Sequence, residues 1–244
     1  MKKIEFFSTI DGMTDLSPII EAKDYRPAWV AKCREDYVDF KERTEGLRGV
    51  HAYRCPAMFE IMQEGFLLTA PWDIIIETEP GKMWDFKWTV PDAELANLMD
   101  VPLVVSHKEA AQHIPVPKGA LNTIVKIATP WHVVVPDNLK LLVLPLSYDD
   151  NVEYYSVPGL FDPGHSSEIN VQLRWFNNNG RITIKTGTPL AHVIPLSEHK
   201  FELVVRDANE RDKLWLKKRK LFHNYSFAPI RNKIKELYIK HWKK

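Results

Sequence analysis

The strongest constraint on what this chain can fold into is a strict two-residue alternation between Ile169 and Trp175. Ile169, Val171, Leu173 and Trp175 alternate with Asn170, Gln172 and Arg174. Successive side chains of a strand point to opposite faces, so this run presents one apolar and one polar face. Asn177-Asn178-Asn179-Gly180 then offers residues that tolerate positive φ. Beyond it, Ile182 and Ile184 alternate with Arg181, Thr183 and Lys185, and Gly187 turns the chain into Leu190 to Ile194. The pattern predicts an antiparallel meander of at least three strands, within a sandwich or barrel.

Further strands are expected at Phe66-Leu67-Leu68, at 72–76 and at 83–90, where Trp84, Phe86 and Trp88 alternate with Asp85 and Lys87. Ile124 to Ala128, Trp131 to Val135 and Leu139 to Leu144 follow, the last two as a hairpin. Helices are expected at Trp29 to Arg43, behind Pro27, and at 57–62, opened by Pro56 and closed by Gly65. A short one is expected near 93–99, then two at the end, 207–224 and a segment carrying Ile230, Ile234, Leu237, Tyr238 and His241 at helical spacing. The expectation is an α+β, β-rich fold with an antiparallel barrel or sandwich core, dUTPase-like or jelly-roll-like. It divides into an N-terminal mixed segment (1–65), the core (66–206) and basic C-terminal helices (207–244).

Hydrophobic residues make up 45% and charged residues 27% of the 244, which suits a chain with one sizeable core. No apolar run reaches the roughly 20 residues of a membrane span, and the N-terminus lacks the apolar stretch of a signal peptide. The expected compartment is the cytoplasm, of a host cell if the protein is viral. Cys33 and Cys55 are too few for a disulfide framework and lack the short spacing of a zinc site.

The net charge of +1 hides an asymmetry. Residues 207–244 carry 12 Lys+Arg against 4 Asp+Glu, a net of +8, which leaves 21 against 28, or −7, on residues 1–206. Lys217-Lys218-Arg219-Lys220 is the densest cluster, beside Trp215. It could neutralise phosphates without sequence preference. The plainer reading is that two amphipathic helices pack on an acidic body, of the same or a neighbouring subunit. Eight tryptophans serve as core or subunit interface more often than as stacking platforms for bases.

Phosphate-loop, dinucleotide and Gly-x-Ser-x-Gly signatures are absent. The nine histidines are scattered along the chain, and His-Glu-x-x-His is missing. No metal ligand set is therefore expected. Asp162, in Phe161-Asp162-Pro163-Gly164, is first a turn residue and otherwise a ligand-contacting carboxylate.

Several segments together carry a resemblance. They are Ile19-Ile20-Glu21-Ala22-Lys23, Arg54-Cys55-Pro56-Ala57-Met58-Phe59, Pro71-Trp72-Asp73-Ile74, Lys126-Ile127-Ala128-Thr129-Pro130-Trp131 and Gly187-Thr188-Pro189-Leu190-Ala191-His192. The series resembles a family of uncharacterised proteins of tailed phages, marine and cyanobacterial ones among them. That implies a viral setting and no particular activity.

A shorter stretch, 157–200, resembles the β-barrel of the dUTPase and dCTP-deaminase superfamily. That resemblance implies Asp162 near a deoxyribose and Mg²⁺ as the metal of a bound nucleotide; Arg174, nearby along the chain, and His192 are the further candidate binding residues. The chain departs from it in lacking an Arg-Ser-Ser motif and a C-terminal glycine-rich segment, and in placing His192 where a Gln is usual. Two functions follow. One is a phage-encoded, non-enzymatic binding or assembly protein that engages a protein partner, another copy of itself, or a nucleic acid or other polyanion through Trp215 and Lys217 to Lys220. The alternative is a nucleotide-binding or nucleotide-hydrolysing barrel.

Overall fold

The computed structural model describes residues 2–43, 51–91, 94, 98–99, 102–136, 139–222 and 228–242, without the side chains of 109, 110, 220–222 and 228–231. The fold is α+β and strand-rich, with four sheets. At the centre of the first, β1 (Lys2–Ser8) runs parallel to β15 (Phe201–Asp207) and antiparallel to β8 (Trp131–Val134). In the second, β7 (Ile124–Ile127) and β12 (Val171–Trp175) are flanked by β6 (Val104–Ser106) and β10 (Tyr154–Ser156). The third has the order β11 (Gly159–Phe161), β9 (Leu141–Leu144), β14 (Pro189–Pro195), β3 (Phe66–Thr69), β2 (Ile20–Glu21). The fourth sets β4 (Ile74–Thr78) between β13 (Gly180–Ile184) and β5 (Lys87–Thr89). Among the described residues the sheets do not close into a barrel.

The expected strands are largely present, but their pairing differs. β12, β13 and β14 form no meander, since each belongs to a different sheet. Both edges of β12 are taken, by β7 and β10. The Asn177–Gly180 turn is a corner between sheets, held where the Thr78 hydroxyl donates to the Asn177 carbonyl at 3.0 Å. It delivers β13 to β4, with Ile182 opposite Ile76 and Ile184 opposite Ile74. Such pairs of β-branched residues stabilise a ladder. The hairpin expected of β8 and β9 is likewise absent: β8 pairs with β1, and β9 with β14 and β11.

The inward faces of all four sheets contribute to one hydrophobic cluster, with Ile4, Phe6, Leu68, Ile74, Val125, Trp131, Leu173, Trp175, Ile184 and Val193 among its members. Trp72, Trp131 and Trp175 are core residues, as expected. Trp84 and Trp88 are not. The strand expected over 83–90 shrinks to β5, exposed at all three positions, and the two indoles are 39% and 36% exposed.

The helices over Ala28–Arg43 and Pro56–Gln63 match their proline signals. Gly65 ends the second with φ +74°, and a Cβ there would lie 2.2 Å from the Val193 carbonyl oxygen. Only glycine allows both that conformation and that approach. The helix expected near 93–99 falls largely outside the described residues. No helix among them is long and apolar enough to cross a membrane. Cys33 and Cys55 are free thiols.

Candidate binding surface on the C-terminal helices

The penultimate helix (Glu210–Phe222) begins with a reciprocal cap. Asn209 Oδ1 accepts from the backbone N–H groups of Arg211 and Asp212, and Asp212 Oδ2 accepts from the Asn209 N–H at 2.7 Å. This arrangement satisfies N–H groups that a helix start leaves without partners. Asp212 is fully buried, and Arg206 of β15 grips it with two N–H groups, at 2.5 and 3.2 Å. Arg206 also donates to Glu5 of β1 at 3.0 Å. A buried carboxylate needs such a counter-charge.

Asp212, Trp215 and Arg219 recur at helical spacing, so they share the inward face. Trp215 is 2% exposed and meets Tyr238 of the last helix (Ala228–Trp242) edge to face, with ring centres 5.6 Å apart. The Arg211 guanidinium donates to the His241 carbonyl, and His241 Nε2–H donates to the Arg211 carbonyl. The Tyr238 hydroxyl accepts from the Val135 N–H at 3.2 Å, and burial holds its pKa well above the usual phenol value.

A polar seam runs beneath these helices. Arg219 donates to Ser166 Oγ at 2.7 Å and to Ser167 Oγ at 3.4 Å, and lies 4.0 Å from the Glu168 carboxylate. Glu168 accepts from Asn170 Nδ2 at 2.9 Å. Burial opposes its charge, but the Asn170 hydrogen bond and Arg219 together hold its pKa below the ordinary value. His132 Nδ1 lies 3.2 Å from Ser167 Oγ, and the ring stacks on Phe7 at 5.1 Å. Burial first, and Arg219 second, push the His132 pKa down to about 4, so it is neutral at pH 7. A Ser–His pair can serve nucleophilic catalysis. Here Ser167 is buried under Arg219, which closes the pair to a substrate.

The candidate residues separate into different surroundings. Asp162 is a turn residue that also pairs with the last helix: one oxygen accepts from the Gly164 N–H at 3.0 Å, the other from Lys235 Nζ at 3.1 Å. Arg174 is 3% exposed and donates to the Leu121 carbonyl at 3.5 Å. Buried His192 donates from Nε2 to the Glu64 carbonyl, and burial lowers its pKa. No hydrogen bond or ion pair joins any two of these three.

Within the basic cluster, Lys217 and Lys218 point to solvent, whereas Arg219 and Trp215 point inward. The Lys220 side chain lies outside the described residues. Sequence reasoning missed Arg206, Asp212, Lys235 and His132. Only the Asn209-x-x-Asp212 cap had a local signal. The other roles depend on partners remote in the chain. Among the described residues no group of three or more His, Cys, Asp or Glu could hold a metal ion. No family model, curated protein or solved structure matches the chain.

Proposed function

We propose that this is a cytoplasmic, non-enzymatic binding and assembly protein that engages a negatively charged macromolecule through the outward face of its two C-terminal helices. The observation that carries this reading is the division of the tail's cations. Arg211, Arg219 and Lys235 are bound within the chain. Lys217, Lys218, Lys233 and Lys240 are exposed and make no ion pair among the described residues. Cations held on pinned helices can neutralise phosphates or carboxylates without first ordering a flexible tail. A phage setting, as the first resemblance implies, suits such a role.

The test is substitution of all four lysines by Glu, with retention on a DNA or heparin matrix as the readout. The variant should lose retention while its unfolding midpoint holds. For the native protein, affinity should fall steeply with salt, with a log–log slope of roughly 0.9 per neutralised phosphate of duplex DNA. A flat salt response overturns the reading. Deleting 207–244 is a poorer test, because it also removes Arg219 and Tyr238 from the core.

The shared hydrophobic cluster supports an open, sandwich-like arrangement of the four sheets as the finer description of the core. The nucleotide alternative gains nothing from Asp162, Arg174 and His192, each of which is committed to a different protein partner.

A further inference from the structure

Among the described residues, one sheet edge differs from the others. β15 is the outer strand of its sheet and has 7 residues, whereas the other outer strands have between 2 and 5. It keeps unbroken register with β1 over its whole length and contains neither a proline nor a bulge. Those are common devices that blunt an edge against further pairing.

The opposite edge of the same sheet is covered. The outward backbone groups of β8 are taken up: the Trp131 carbonyl accepts from the Ile169 N–H at 3.1 Å, and the Val133 N–H donates to the Ser167 carbonyl at 2.8 Å. The Val135 N–H, just beyond, donates to the Tyr238 hydroxyl at 3.2 Å. β15 has no such cover. The Ala208 N–H donates to the Ser8 carbonyl at 2.9 Å, so even-numbered residues here turn their backbone groups to β1 and odd-numbered ones turn theirs outward. The outward groups of Phe201, Leu203 and Val205 have no hydrogen-bond partner among the described residues.

We propose that this edge pairs with β15 of a second copy of the chain, antiparallel about a two-fold axis at Val204, joining two 3-stranded sheets into one. The side chains select both the partner and the register. A two-fold axis centred on Leu203 would set Lys200 against Arg206, and one on Glu202 would set that carboxylate against itself. Centred on Val205, Glu202 would meet only Ala208. Centred on Val204, Glu202 faces Arg206 of the second copy on both sides of the axis, and Leu203 exchanges backbone hydrogen bonds with Val205. That register uses every residue of β15. The two charges discourage an arbitrary apolar strand and complement each other in a self-pair. Glu202 is free to turn, being exposed with only Lys3 near it, at 3.7 Å. The surface involves none of the lysines of the C-terminal helices.

The test is sedimentation of the full chain. A ladder this short is a small interface, so a reversible dimer that dissociates on dilution is expected. A monomer at concentrations up to about 1 mM overturns the proposal. Glu202→Lys should raise the dissociation constant about tenfold, because two unlike pairs per dimer become like pairs, while the unfolding midpoint of the monomer holds. An unchanged dissociation constant overturns it. Oxidative cross-linking, with Cys33 and Cys55 replaced by Ser, reads the register. Residues of a non-hydrogen-bonded antiparallel pair have Cα atoms about 4.5 Å apart, within reach of a disulfide. Val204→Cys should therefore link two copies, and Glu202→Cys should not, because its counterpart lies well along the other strand. Linkage of the Glu202→Cys variant instead, or of neither, overturns the proposal.

Discussion

Arg219 and Ser166, 53 positions apart in the chain, are joined by a 2.7 Å hydrogen bond that lays the penultimate helix on the loop before β12. The arginine that sequence density groups with three lysines is thus a fastening of the fold. Its planar fork reaches two hydroxyls and faces a carboxylate, a geometry that a lysine ammonium does not reproduce.

Replacing Arg219 with Met should cost about 2 kcal/mol, the scale of a lost charged hydrogen bond in a buried setting. Urea unfolding measures that loss. Limited proteolysis should cut faster within 207–242, because the substitution releases the helix from its seam.

His132 makes stability depend on pH in a defined direction. Its pKa falls from 6.5 in the unfolded chain to about 4 in the folded one. Between those values the unfolded state binds the extra proton, so stability is lost as pH falls from 6.5 towards 4. The loss totals roughly 3 kcal/mol, at 1.36 kcal/mol per pH unit. Thermal melts across this range should show it, and His132→Phe should flatten the difference.

Gly65→Ala should destabilise by on the order of 3 kcal/mol, since φ +74° and the Val193 carbonyl both resist a Cβ. Chemical denaturation reads this directly. Gly119→Ala is the control: φ is again positive but nothing lies within 4 Å of the added atom, so its cost should be smaller.

Asp212→Ala should be among the most damaging single changes, at about 3–5 kcal/mol. It removes the Asp212 half of the helix cap and leaves Arg206 short of its buried partner. Arg206→Met with Asp212→Leu should recover part of that loss, because no uncompensated charge then stays buried. A double-mutant cycle in urea gives the coupling.

Local order was legible in the sequence and long-range order was not. The alternation of Ile169 to Trp175 and the short apolar runs at Ile124 and Phe66 marked strands correctly, because both patterns are local signals of extended backbone, although Arg174 and all of Phe66–Thr69 are buried. Which strands pair is decided elsewhere. β12 pairs with β7 and β13 with β4, so the Asn-rich turn between β12 and β13 joins sheets although its composition suits a hairpin. The same limit applies to the site. A net of +8 located the basic helices, but only their docking separates inward Arg219 from outward Lys217 and Lys218. Trp84 and Trp88 show the reverse failure: aromatic alternation suggested burial, and among the described residues no sheet covers them.

The ladder between β1 and β15 also bears on how the protein is made. Glu5 and Arg206, which meet across it, are 201 positions apart. During synthesis β1 emerges early, with Ile4, Phe6 and Phe7 on it, but gains its parallel neighbour only after almost all of the other strands have been translated. At roughly 5–20 residues per second that delay is about 10–40 s, long enough for an unpaired apolar edge to need shielding. Separations of this size also slow closure of the finished chain. The edge of β1 therefore stays open until β15 has been made, and moving β1 behind β15 by circular permutation should shorten that interval.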